Sequence, residues 1–433
     1  MSTDRGHGHN PSHDERRRVA MPRRTTLGPL DADTDDPLAG STIDTSAPRF
    51  SQPEPISRSQ IASPAQDSTT PTSALDDVPS KDLSFLLDPS IYHPLPTSAV
   101  PQPFLNSLNA SDINDSLTTL LSRGQYRLAA LHCARELCAI RDPTSVTTIL
   151  NLFHTRLACL TLLSHHDLAA TESKALGDLT SSFYRHPVSG THYVPWSLRV
   201  LCIRLTALGY SEWRKGIMGY YELAREARSE IARASATHND NAATEEWSAR
   251  LRELGVLTAN LLVEMGDLEA AAEHLASLPG YTDAEDAEAV RLRTYEALLW
   301  LRVGDIAAAR RTLPASQPPS HLTALLQISD DDFDSALSTL QALRKSHSKD
   351  PMIGQNLAVC RLYVGQMSAA REVLEDLVDQ GHAFHTLTFN LATLYELSTE
   401  RAREKKGALA DRVAGRKPRD QESWERANVD FKL

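Results

Sequence analysis

No run of about 18 apolar residues occurs anywhere in the 433-residue chain, so no helix long and apolar enough to cross a bilayer is expected. The opening MSTDRGHGHN has no apolar stretch of the kind a secretory leader needs. Cysteine is scarce and odd in number: Cys133, Cys138, Cys159, Cys202 and Cys360 sit in helix-like apolar patterns and read as buried, reduced thiols of an intracellular protein. The Gly-rich loops that cradle phosphate are missing, since GxGxxG and GxxxxGK followed by Ser or Thr both fail, and there is no GxSxG elbow. Sixteen histidines include no pair four apart on a helix with a companion acid, as a zinc hydrolase requires. Cys133 and Cys138 point to different sides of a helix, so they form no compact thiolate site. The run Asp330, Asp331, Asp332 lacks the alternate spacing, the central Gly and the later Glu of a calcium loop and reads as a solvated turn. No catalytic, cofactor-binding or metal residue is expected, and the chain does not read as an enzyme. A formal net charge of -11 gives no broad basic surface, which makes nucleic acid and anionic lipid poor partners. The one basic run, RRRVAMPRR (Arg16 to Arg24), reads as solvated rather than as a localisation signal.

What is present is uneven. Fifteen of the 24 prolines lie between Pro11 and Pro103, and residues 1–85 are rich in Ser, Thr, Pro and Asp with few large apolar side chains. Such a segment cannot bury enough surface to offset the entropy of ordering, so it reads as disordered, with Ser63-Pro64 and Thr70-Pro71 as candidate proline-directed phosphorylation sites. Residues 86–110 read as an extended lead-in, 111–413 as the folded body, and 414–433 as a tail that is either flexible or docked. In the body, Ala324, Ala358 and Ala392 stand 34 apart, and Ala336 and Ala370 repeat that offset twelve residues on. That is the tetratricopeptide period, with a small residue where each first helix crosses its second. A turn followed by alanines recurs upstream in SRGQYRLAA, SHHDLAA, MGDLEAA, VGDIAAA, DDFDSA and VGQMSAA. The aspartates in these turns read as helix caps, not metal ligands.

The expected fold is all-α, a tetratricopeptide-like solenoid of about seven helical hairpins, because no useful strand alternation follows residue 105. Pro195 falls at the first turn of a helix that ends near Tyr210 and Ser211; Ala234 to Glu246 and Leu313 to Ser320 read as loops. Ser398 to Val413 has the thin apolar stripe of a terminal cap. Trp213, Trp247, Trp300 and Tyr395 read as packing residues. Asn356 and Asn390 are 34 apart on successive first helices, but the basic companions of a carboxylate-binding clamp are missing beside them, so they are candidate protein-interaction residues of unassigned type.

The wording of the C-terminal repeats is specific: NLAVCRLYVGQMSAAREVLEDLV, then FHTLTFNLATLYELSTERAREKKGALADRVA, then a tail closing on FKL. These segments resemble the tetratricopeptide region of the TRAPP subunit-twelve family, and YRHPVSGTHYVPWSLRVL (Tyr184 to Leu201) resembles that family's loop before a helix, with Trp196 where the family usually has Phe. The resemblance covers roughly residues 85 to 433. It implies a non-catalytic scaffold of a TRAPP vesicle-tethering complex in transport between endoplasmic reticulum and Golgi, with a link to autophagy. Other TRAPP subunits would be direct partners and a Rab-type GTPase an indirect one, with the protein cytoplasmic and peripheral to ER-Golgi or Golgi membranes. Tyr193 and Trp196 in the loop join Asn356 and Asn390 as candidate interaction residues. The alternative is a tetratricopeptide peptide-binding adaptor or cochaperone.

Overall fold

The computed structural model describes residues 81–236, 241–279, 287–312, 320–419 and 422–433. The basic run, Ser63-Pro64, Thr70-Pro71 and most of the expected loop from Leu313 lie outside the described residues. Among the described residues there are 17 α-helices and no strand, only an isolated bridge between Arg185 and His192. After α1 (Gln102–Leu105) the helices run in eight antiparallel pairs: α2 (Leu117–Ser122) with α3 (Tyr126–Ala139), α4 (Val146–Leu162) with α5 (His166–Ser173), α6 (Trp196–Tyr210) with α7 (Trp213–Ala236), and α8 (Asn241–Met265) with α9 (Leu268–Ala276). The series continues with α10 (Ala287–Val303) and α11 (Ile306–Arg311), α12 (His321–Ser329) and α13 (Phe333–Ser346), α14 (Pro351–Tyr363) and α15 (Met367–Asp379), and α16 (His385–Ser398) and α17 (Ala402–Ala414). From α2 on, each helix packs against the one before and the one after, which is the arrangement of a solenoid.

One turn design joins six of these pairs. Gly124, Ser164, Gly266, Gly304, Asp331 and Gly365 all adopt positive φ. The N–H of the next residue then reaches back to the carbonyl five positions earlier, as in Gln125 to Leu120 at 2.9 Å, Asp305 to Trp300 at 3.0 Å and Gln366 to Arg361 at 2.8 Å. This closes the first helix and starts the second within two residues. Asp267, Asp305 and Asp332 accept the N–H groups of Ala270, Ala308 and Ser335, so the aspartates cap helices as their positions imply. The alanines at the 34-residue period do what the spacing requires: Ala324, Ala336, Ala358, Ala370 and Ala392 are all fully buried where paired helices cross.

Several local expectations are corrected. The polar stretch from Ala234 to Glu246 is mostly helix, since α7 runs to Ala236 and α8 begins at Asn241. Its Ala and Glu residues are good helix formers, and the missing apolar period reflects a first turn that faces solvent. Cys138 is exposed while Cys133, Cys159 and Cys360 are buried. The buried stripe of α3 runs through Ala130, Cys133 and Leu137, and the next residue is turned about 100° away from it. Trp213, Trp247 and Trp300 are only half-buried, whereas Tyr395 is fully buried.

The last helix is not a free end. α17 packs on α1, and the segment after it returns to the first pair. Trp424 and Phe431 are fully buried with Phe104, their rings 5.3 and 6.1 Å from its centre. Backbone joins backbone there, Trp424 donating to Gly124 at 3.2 Å and Asn428 to Ala99 at 2.8 Å. Arg127 meets Glu425 at 2.7 Å with both side chains largely covered, and Ser107 donates to the Ala414 carbonyl at 2.8 Å. The array therefore closes on itself, and the lead-in is part of its core. Leu83 and Leu86 are buried, and upstream of α1 the chain is held by Arg156. That guanidinium grips Glu172 at 2.6 and 2.7 Å and donates to the carbonyls of Ala130 and His93, while the His93 N–H donates to Glu172. Both carboxylate oxygens and all three guanidinium nitrogens of this buried ion pair are hydrogen-bonded, which offsets much of the cost of burying the two charges.

Candidate interaction surfaces

The loop that precedes α6 is a tight hairpin. The His186 N–H donates to Thr191 and the Tyr193 N–H to Tyr184, each at 2.8 Å, and the ring of His192 stacks on Tyr184. Val194 is buried and Pro195 opens α6, so the hairpin delivers Trp196 to the first position of that helix. Beside it lies α8, whose N-terminal turns present Trp247 and Arg250. The two indoles meet edge to face with centres 5.5 Å apart. The Arg250 guanidinium lies 4.3 Å from the Trp247 ring centre and 5.4 Å from that of Trp196. Arg199, one turn along α6, sits 5.5 Å from the Trp196 ring and forms a two-pronged pair with Glu226 of α7 at 2.9 and 2.6 Å. Arg185 approaches the same carboxylate at 3.5 Å.

These side chains line an open cleft of about 320 Å³. Burial works to raise the Glu226 carboxyl, but the Arg199 hydrogen bonds and charge, with Arg185, hold it below its ordinary value of 4.5. Burial lowers His192, which leaves it neutral at physiological pH. The Trp196 Nε1–H is buried and has no acceptor among the described residues. The Arg250 guanidinium is also paired with the Glu246 carboxylate one turn before it on α8, so its charge is already shared while its stem and head are held against the two indoles. The cleft thus presents two half-buried indoles, one buried indole N–H without an acceptor among the described residues, and arginines already paired with Glu226 and Glu246.

Of the residues singled out by sequence, Trp196 is at the centre of this cleft. Tyr193 is not part of its lining: it is half-buried in the hairpin, its ring 6.0 Å from that of His186. Asn356 on α14 and Asn390 on α16 are half-buried at equivalent positions, and neither side chain makes a hydrogen bond to another described residue. The only arginine on these two helices, Arg361, donates to the Ala369 carbonyl at 3.1 Å. Nothing in their make-up forms a carboxylate clamp. The partners of Trp196 escaped sequence reasoning, although a signal exists: Trp196-Ser-Leu-Arg199 and Trp247-Ser-Ala-Arg250 are two copies of one WSxR pattern, each placing an indole and a guanidinium one helical turn apart. The buried trio of Phe104, Trp424 and Phe431 carries no comparable local signature. Among the described residues no group of three or more His, Cys, Asp and Glu side chains could hold a metal ion, and no helix is long and apolar enough to cross a membrane.

No family model matches the sequence. Two curated relatives do: the trafficking protein particle complex subunit 12 of Homo sapiens is 27% identical, the alignment covering 71% of this chain and 48% of the relative. That of Mus musculus is 26% identical over 71% of this chain and 44% of its own length. The chain thus spans about half the length of the curated relatives it matches. The resemblance to the subunit-twelve family, read from the NLAVCRLY and FNLATLYELST segments, holds.

Proposed function

We propose that this relative of trafficking protein particle complex subunit 12 is a non-catalytic scaffold subunit of a TRAPP vesicle-tethering complex, joining peripheral subunits to the small-subunit core that exchanges nucleotide on a Rab-type GTPase. The observation that carries this reading is the kinship with subunit 12 proteins across 71% of the chain. The fold is consistent with it, because a closed array of helical pairs holds separate surfaces at fixed distances and so can seat several proteins at once. We place the protein at the cytoplasmic side of ER-Golgi or Golgi membranes, held there by its partners, with a part in secretion and in autophagy.

Within this reading the Trp196, Trp247 and Arg250 cleft is one contact to a neighbouring subunit, and the half-buried Asn356 and Asn390 mark a second face. Trp and Arg dominate the energetics of protein interfaces because they bring large rigid area and several donors at one point. A peptide-binding cochaperone gains no support from α14 and α16, whose one arginine, Arg361, is bonded to the Ala369 carbonyl.

The test is recovery of partners by tagged protein produced in its own cells, with Arg250→Glu compared with the unaltered chain. Reversing an interface charge of this kind costs about 2–5 kcal/mol, so recovery of at least one large TRAPP subunit should drop more than tenfold while helical content stays the same. Unchanged recovery of every subunit would remove the cleft from the interface.

A further inference from the structure

On the other flank of α8, facing α9 and α10, lies a second cavity of about 390 Å³. Its walls are mainly apolar, formed by the rings of Tyr220 and Tyr221 on α7, Leu251 on α8, Leu278 after α9 and Leu292 on α10. This volume is in the range of sites that hold compact ligands or one or two large side chains. Two polar features make it more than a packing defect. The Tyr220 side chain is 1% exposed, yet its hydroxyl has no hydrogen-bond partner among the described residues. Three other buried or half-buried tyrosines all spend theirs: Tyr92 on the Leu86 carbonyl at 2.5 Å, Tyr184 on the Leu176 carbonyl at 2.6 Å and Tyr395 on Glu375 at 2.9 Å. A buried hydroxyl without an acceptor costs about 1–3 kcal/mol, so its persistence in a cavity wall calls for an occupant that supplies one.

The rim carries positive charge in a chain whose net charge is -11. Arg228 makes no ion pair among the described residues, and Arg252 shares its charge with Glu288 at 3.2 Å. His274, also in the lining, already contacts the Gly255 carbonyl through Nε2 at 3.1 Å. Beyond the mouth the apolar surface continues along α7, where Met218 and Tyr221 are 56% and 45% exposed and one helical turn apart. An occupant confined to the cavity would leave that strip uncovered; a polypeptide would cover both.

We propose that this pocket receives a segment of a partner protein that inserts a large apolar side chain, offers a backbone or side-chain acceptor to the Tyr220 hydroxyl, and sets an Asp or Glu against Arg228. Apolar area supplies the affinity and the carboxylate supplies register, the division of labour seen where peptides dock in helical grooves. The pocket's chemistry is the same whichever complex the chain enters.

The probe is a phage-displayed library of random dodecapeptides selected against the complete chain, with counter-selection on Arg228→Glu. Peptides enriched on the unaltered chain should share a bulky apolar residue next to an Asp or Glu. A synthetic copy of the leading peptide should bind the Arg228→Glu chain at least tenfold more weakly, and the Tyr220→Phe chain, which keeps the ring and loses only the hydroxyl, several-fold more weakly. Both variants should keep the circular dichroism of the unaltered protein. Failure to enrich any such peptide, enrichment of peptides without an acid, or equal binding to all three chains would overturn the assignment. Because no cellular partner is involved, this result is independent of whether TRAPP subunits are recovered with the protein.

Discussion

Left-handed backbone costs a residue with a Cβ about 1–2 kcal/mol, and at two of the repeated turns, Ser164 and Asp331, the chain accepts that cost where four others use glycine. Asp331→Gly should therefore raise stability by about 0.5–1 kcal/mol, read as a higher denaturant midpoint at unchanged slope, because the cap is made by Asp332 and remains. The thiols divide as sharply. Burial pushes Cys133, Cys159 and Cys202 up to about 12, so at neutral pH they are protonated; Cys133 and Cys159 are buried and Cys202 is half-buried, while Cys138 is exposed. A maleimide should modify one thiol per native chain, at Cys138, and all five after denaturation; rapid loss of two or more would contradict the burial. Glu226 gives a pH signature. Its folded value lies below the ordinary 4.5, so its contribution is complete above that value and is lost as pH falls through the lower, folded one. The fluorescence of Trp196 and Trp247 should change in that acid window as Arg199 loses its partner, and Glu226→Gln should abolish the change.

At the scale of elements, the sequence was most readable where structure is local. The turn and its capping aspartate need only six consecutive residues, and the crossing alanines announce themselves by a fixed period, so α12 to α17 could be read directly from Ala324, Ala358 and Ala392. The start of α8 could not, because Asn241 to Glu246 form a solvent-facing turn with no large apolar residue to set a phase. Trp247 was read as packing for a related reason: the sequence shows that an indole lies on α8 but not that α6 brings Trp196 and Arg199 up to it. Least readable was the return of the tail, since its partners are about 300 residues away along the chain. Gly124 marks that contact. Its φ is +65°, and a Cβ there would stand 1.8 Å from the Glu422 carbonyl oxygen. Gly124→Ala should strain the first turn and push the tail off it together, a loss of about 2–3 kcal/mol with increased protease cleavage after residue 415, whereas Gly266→Ala, at a turn with open space around it, should cost only the backbone term of about 1 kcal/mol.

For the whole molecule, closure changes what the array can do. An open solenoid unfolds from its ends, repeat by repeat. Here α1, ahead of the first pair, and the segment after the last pair share a buried aromatic cluster of Phe104, Trp424 and Phe431, so fraying at either end has to break it. Trp424→Ala should cost about 3–5 kcal/mol and turn a single thermal transition into a broader one. An array of helical pairs whose two ends are tied together suits a subunit that holds others in position, and the central claim is that this chain is such a subunit. It is tested most directly by purifying the tagged protein from its own cells at low salt, sizing the product, and identifying its components by mass spectrometry. The account predicts a large assembly containing small TRAPP core subunits and other large subunits in fixed ratio to this chain. Elution as a 47.7 kDa monomer, or in company with chaperones alone, would contradict it.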